Sequence, residues 1–134
     1  MIKKFVFLLI FSTIVLGASL AGINIQKDFP TASKISKETK KRLMLFVYSD
    51  FCPYCDKMKR KTFTDADVKK FINDNYVFVM EKQGSATLPA QFDSDTVPMT
   101  YVLSFKTGEV LNEIPGYKTK EMFLQLTKEC VTDY

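Results

Sequence analysis

The stretch from Leu43 to Phe63, LMLFVYSDFCPYCDKMKRKTF, constrains the chain more than any other. Leu43 to Tyr48 is an unbroken apolar run of strand length without Gly or Pro, the pattern of a strand covered on both faces. A short polar break leads to Cys52, Pro53, Tyr54 and Cys55, and then to a Lys-rich segment of good helix formers with Met58 as its apolar contact. The expected order is strand, turn, Cys-x-x-Cys, helix.

That order has a chemical consequence. The start of a helix carries unpaired N–H groups and a partial positive charge, so a sulfur placed there is more stable as a thiolate than in a free cysteine. Pro53 suits the first helical turn, where its missing N–H costs nothing. The spacing predicts an exposed, attacking Cys52. Cys55, one turn on, is within reach to close an internal disulfide and release a mixed-disulfide partner.

On these residues the chain resembles the thioredoxin-like superfamily. CPYC matches the active-site motif of glutaredoxins, and the TFTDADV segment from Thr62 to Val68, with the signal-like start, resembles small secreted thioredoxin-related proteins of bacteria. The resemblance covers roughly Thr31 to Val131 and implies an α/β domain with a central mixed sheet flanked by helices. It also implies a cis peptide bond between Val97 and Pro98 beside the cysteine pair, with the Val97 backbone offered to a bound peptide or glutathione. Gly116 matches a glycine that thioredoxins place near the active-site surface.

The first residues are expected to lie outside this domain. Lys3 and Lys4 precede an apolar run from Phe5 to Leu16, and Ser19, Leu20 and Ala21 supply a small-x-small site, together the pattern of a secretory signal peptide cleaved after Ala21. A retained anchor is the competing reading, but Phe5 to Ala21 is 17 residues, against the roughly 20 that a spanning helix needs. Removing 21 of the 134 residues leaves 113, residues 22–134, enough for one domain. Without Lys3 and Lys4 there are 17 basic residues against 15 acidic ones, a net +2 that gives no basis for nucleic-acid or anionic-membrane binding. Lys57, Lys59, Arg60 and Lys61 read as a solvated helix face, with at most a minor part in favouring the Cys52 thiolate.

Export, if it occurs, is to a periplasm-like compartment where structural disulfides are common, but their partners rarely sit two residues apart at a helix start, so the pair reads as catalytic. Zinc would need further ligands, and the chain has no histidine. Covalent haem attachment would want His after Cys55, where Asp56 stands. No cofactor is expected.

Elsewhere, Ile23 to Ile25 reads as an edge strand and Thr31 to Lys41 as a polar helix burying Ala32 and Ile35. Thr64 and Asp67 resemble a capping box before a helix carrying Val68, Phe71 and Ile72. Tyr76 to Met80 reads as the next buried strand, parallel to the first. Gln83 to Asp95 is a loop with a helical turn near Leu88 to Phe92, and Met99 to Ser104 with Glu109 to Ile114 form a hairpin around Lys106-Thr107-Gly108. Thr119 caps a last helix with Phe123, Leu126, Thr127 and Cys130 on one face, making Cys130 a buried, inert thiol rather than an intermolecular link.

Two departures from the family matter. Thioredoxins carry a buried acid six residues before the first cysteine, where this chain has Phe46, so Cys55 needs another proton acceptor, for which Glu81 is a candidate. Phe51 stands where Trp is common. DsbA-type oxidants have His at the third motif position, and Tyr54 cannot carry that charge. A reduction potential of about −200 to −230 mV, the glutaredoxin range, is therefore expected rather than about −120 mV.

The function implied is exported thiol-disulfide oxidoreduction by a monomer acting on protein disulfides, as a reductant, with electrons exchanged through a membrane redox partner. Glutathione-dependent monothiol exchange through Cys52 is the alternative. A third reading is a non-catalytic module binding a partner protein or Cu(I), with Met58, Met80 and Met99 available as soft donors.

Overall fold

A computed structural model describes Leu20 and residues 22–132, and the expected signal segment lies almost wholly outside the described residues. Its centre is β2 (Arg42–Tyr48), whose five middle residues are buried, as the unbroken apolar run requires. On one side β2 pairs in parallel with β3 (Tyr76–Lys82), from Arg42 opposite Tyr76 to Tyr48 opposite Lys82. On the other it pairs antiparallel with β4 (Met99–Leu103), which in turn pairs antiparallel with β5 (Val110–Pro115). The short β1 (Ile25–Gln26) adds to the far edge of β3, giving a five-stranded mixed sheet in the order β1-β3-β2-β4-β5.

Alternation along β2 divides the core between the two faces of this sheet. Leu43, Leu45 and Val47 face α1 (Phe29–Thr39), joined by Val77, Val79, Met99, Tyr101, Leu88 and Phe92. Met44 and Phe46 face the helical segment after the cysteines, α3 (Ala66–Asn75) and α4 (Lys120–Thr132). The second core turns on Phe63, whose ring meets Phe46, Phe78 and Phe123 edge-on at centroid distances of 5.0, 5.3 and 5.5 Å.

Several boundaries differ from expectation for identifiable reasons. Helix α1 begins at Phe29, not Thr31, because Asp28 caps it by accepting the Thr31 N–H at 2.9 Å and Pro30 sits in the first turn. It buries Ala32 and Ser36, the latter through a hydroxyl donating to the Lys41 carbonyl at 2.5 Å. The cap of α3 is Asp65, whose carboxylate accepts from Asp67 and Val68, while the Thr64 hydroxyl donates backwards to Arg60, so the Thr64 capping box does not form. Thr119 does cap α4, accepting from Met122 N–H at 3.3 Å.

Candidate active site

The residues that follow β2 form a cap before they form a helix. Cys52 has an extended backbone (φ −128°, ψ 97°), and its Sγ accepts the Cys55 N–H at 3.1 Å, occupying the capping position of α2 (Pro53–Lys57). The Cys52 carbonyl accepts the Asp56 N–H, the first intrahelical bond. The two sulfurs are joined in a disulfide, with Cα atoms 5.2 Å apart. Cys55 is fully buried, and Cys52, expected to be exposed, is only 8% exposed. The reason is the cap itself, which turns the Cys52 sulfur inward over the helix start. Its neighbours take the solvent instead, Phe51 at 99% and Tyr54 at 62% exposure.

The helix does not continue regularly. From Met58 to Thr62 it widens into a π-turn, closed by Phe63 N–H donating to the Met58 carbonyl at 3.0 Å, a feature frequent at functional sites. Met58, Thr62 and Phe63 are all buried, on the same face as Cys55. The buried Thr62 hydroxyl donates to the Lys118 carbonyl at 2.6 Å, and Lys118 N–H approaches Met58 Sδ at 3.5 Å. These contacts fasten the cysteine helix to the segment after β5.

That segment also holds the proline loop. The Val97–Pro98 bond is cis, as the resemblance implied. Because Met99 pairs with Val47, the bond lies at the end of the sheet from which β2 runs on to Cys52. Gly116 N–H donates to the Pro98 carbonyl at 2.8 Å, and Gly116 adopts φ +76°, a left-handed conformation that glycine enters without steric cost. Val97 is half-buried, and neither its N–H nor its carbonyl has a hydrogen-bond partner among the described residues.

The electrostatics differ from the expected solvated basic face. Arg60 and Lys61 are exposed, but Lys57 lies over the Tyr117 ring at 4.5 Å and the half-buried Lys59 over the Tyr48 ring at 3.5 Å. Burial pushes the Lys59 amine below its ordinary pKa, while Asp56 and Asp50 pull it back. Lys82 pairs with Asp50, two residues before Cys52. The Tyr48–Lys59 contact joins residues eleven apart in sequence, and only the i,i+4 placement of Lys59 after Cys55 could have signalled it.

Glu81 does not fit the role of proton acceptor. It pairs with Val47, on the α1 face of the sheet, whereas Phe46 and the cysteine helix share the other. Its carboxylate is engaged by Phe29 N–H at 2.7 Å and the Thr87 hydroxyl at 2.8 and 3.0 Å. The methionines also fail to converge, since Met58 and Met80 belong to one core face and Met99 to the other. Cys130 is buried and free, as expected, accepting from Asn112 Nδ2 at 3.3 Å and donating to the Leu126 carbonyl at 3.4 Å. It lines a cavity with Arg42, which begins β2, at the end of the sheet away from the pair.

Residues 29–130 match the family model of the thioredoxin-like domain. No curated protein matches the chain in sequence. Among solved structures, it is similar to a thioredoxin from Thermus thermophilus (TM-score 0.68, 22% identity, covering 78% of this chain and 85% of that one). It is similar to the DsbH oxidoreductase (0.63, 20%, 83% and 87%). A third similar structure is the C-terminal domain of DsbD from Neisseria meningitidis in its oxidised form (0.61, 18%, 75% and 90%). At these identities the likeness concerns the fold.

Proposed function

We propose, for a chain that belongs to the family of thioredoxin-like domains, that it is a thiol-disulfide oxidoreductase in which Cys52 attacks and Cys55 resolves. The observation that carries this reading is the Cys52 sulfur in the capping position of α2, 3.1 Å from the Cys55 amide, with the second sulfur buried one turn below. In the reduced protein that N–H and the helix dipole favour the Cys52 thiolate. It attacks a partner disulfide, forming a mixed disulfide and expelling one partner thiolate. Cys55 then loses its proton and attacks the Cys52 sulfur, closing the internal disulfide and expelling the second partner thiolate. Two electrons pass to the partner, which takes up two protons.

The surroundings support a polypeptide substrate. Phe51 and Tyr54 offer apolar surface beside a sulfur that is otherwise nearly enclosed. The unpaired Val97 backbone, held by the Pro98–Gly116 bond, offers a donor and an acceptor to an extended chain. Pro53 and Tyr54 shape the first turn rather than touching the reacting bond. The export of the chain, its direction as a reductant, a membrane redox partner and action as a monomer belong to the same proposal. The first rests on the Lys3-Lys4, apolar and Ser19–Ala21 pattern. Tyr54 in the third motif position supports the direction by withholding the charge that a strong oxidant needs.

Trapping tests it. Cys55→Ala should accumulate a disulfide between Cys52 and a substrate such as reducible insulin, released by dithiothreitol, whereas Cys52→Ala should trap none. The CPYC motif favours a second reading, monothiol exchange with glutathione. Cys55→Ser would keep full activity on a glutathione mixed disulfide under that reading and lose it under the dithiol route.

A further inference from the structure

The dithiol reading leaves unexplained how Cys55 is charged when the internal disulfide opens. A fully buried thiol is held in its neutral form by desolvation, unless an opposite charge stands within about 4–6 Å. On the sheet face behind the pair the charged side chains are Arg42, at the far end, and Lys82, whose ammonium pairs with Asp50. Met44, Phe46, Phe78, Met80, Thr100 and Val102 line it, and Glu81 is on the opposite side.

We infer that Lys59 is the positioning charge of this site, its ammonium favouring the Cys55 thiolate from one helical turn away. Three observations converge on it. Residues four apart on a helix have Cβ atoms about 5–6 Å apart, so Lys59 rises beside Cys55 and not on the solvent side. The ammonium is then fixed, 3.5 Å from the centroid of Tyr48, a ring stacked on Phe46 and therefore on the pair's own face of the sheet. Finally, Lys59 is half-buried whereas Arg60 and Lys61 beside it are exposed, so its stem lies against the protein.

The surrounding charges agree. Asp56, on α2, and Asp50, from the loop after β2, face Lys59 and oppose the effect of burial on its amine. Lys82, from β3, stands on the same sheet face and pairs with Asp50, while Lys59 is the cation over the Tyr48 ring. Lys57 is the built-in contrast. It carries the same charge over another ring, but stands two residues from Cys55, on a different side of the helix.

The inference rests on the dithiol reading and can fail separately from it. The experiment uses the protein carrying Cys52→Ala and Cys130→Ala, so that thiolate absorbance near 240 nm reports Cys55 alone. It is titrated with Lys59 intact or replaced by Met, Gln or Arg, and with Lys57→Met. Lys59→Met and Lys59→Gln should each lower the thiolate fraction at neutral pH about three- to tenfold, a shift of up to about one pH unit in the titration. Lys59→Arg should restore it to within about twofold, and Lys57→Met should leave it within the same margin. With Cys52 restored, resolution of its mixed disulfide should slow by the same factor. Wild-type titration in both neutral Lys59 variants overturns the inference, as does an equal shift in Lys57→Met, which would make the effect one of general helix charge. If Cys55→Ala traps no protein disulfide and the unsubstituted protein reduces none, the oxidoreductase reading fails while the titration still decides the part played by Lys59.

Discussion

Replacing Phe63 by alanine would remove the ring on which the helix-bearing half of the core converges. Phe63 is fully buried, and its edge-on contacts reach β2 through Phe46, β3 through Phe78 and α4 through Phe123. Loss of a buried Phe side chain costs about 3–5 kcal/mol, and each aromatic pair adds about 0.5–1.5 kcal/mol beyond burial, which places this site near the upper half of the range. We expect about 4 kcal/mol, nearly a thousandfold in the unfolding equilibrium, against a total of about 5–15 kcal/mol for a domain of this kind. With a urea slope of about 2 kcal/mol/M, the midpoint should fall by about 2 M. Phe63→Leu, which keeps most of the volume and loses the ring geometry, should cost about 1–1.5 kcal/mol. Equilibrium urea unfolding followed by far-UV circular dichroism is the assay. A loss below about 1.5 kcal/mol for the alanine variant, at unchanged slope, would show that the core does not converge on this ring and refute the reasoning.

Two further outcomes follow from the electrostatics and the motif. Equilibration of the pair with glutathione buffers should give a potential of about −200 to −230 mV, and a value above about −150 mV would show that Pro53-Tyr54 does not set it. Asp65, the α3 cap, has a depressed pKa because the Val68 amide and then Lys120 bond its carboxylate. Its contribution is therefore present above the unfolded carboxylate pKa of about 3.9 and is lost as pH falls through the lower, folded value. Asp65→Asn keeps a capping oxygen and removes the titration, so melting temperature should fall less between pH 5 and pH 2 than in the wild type. Parallel acid curves for the two proteins would count against it.

Much of the architecture could be read in the chain because local pattern and tertiary role agree there. Leu43 to Tyr48 is apolar without a break, and it becomes the strand with neighbours on both edges and helices on both faces. The hairpin after Pro98 falls where turn chemistry and strand propensity predict, and the Val97–Pro98 bond is cis as the resemblance implies. What the sequence hid depends on contacts between distant residues. Asp65 caps α3 where the sequence pattern points to Thr64, and Asp28 starts α1 ahead of Thr31, although Asp28 followed by Pro30 is itself a helix-start signal. The π-turn has no linear signature, and Phe63, which closes it, meets two strands and one helix. Glu81 looked available because face parity across two paired strands cannot be seen until their register is known. The burial of Cys52 has the same origin. Capping fixes where its sulfur points, and neighbouring Phe51 and Tyr54 carry the exposure that composition alone would have assigned to it.

The central claim is an asymmetry between two sulfurs created by a helix start, and alkylation of the reduced protein at neutral pH measures it directly. With limiting iodoacetamide and peptide mass mapping, Cys52 should be modified first and faster than a free cysteine, with Cys55 and Cys130 protected. Equal modification of Cys52 and Cys55, or a Cys52 no faster than free cysteine, would contradict the account.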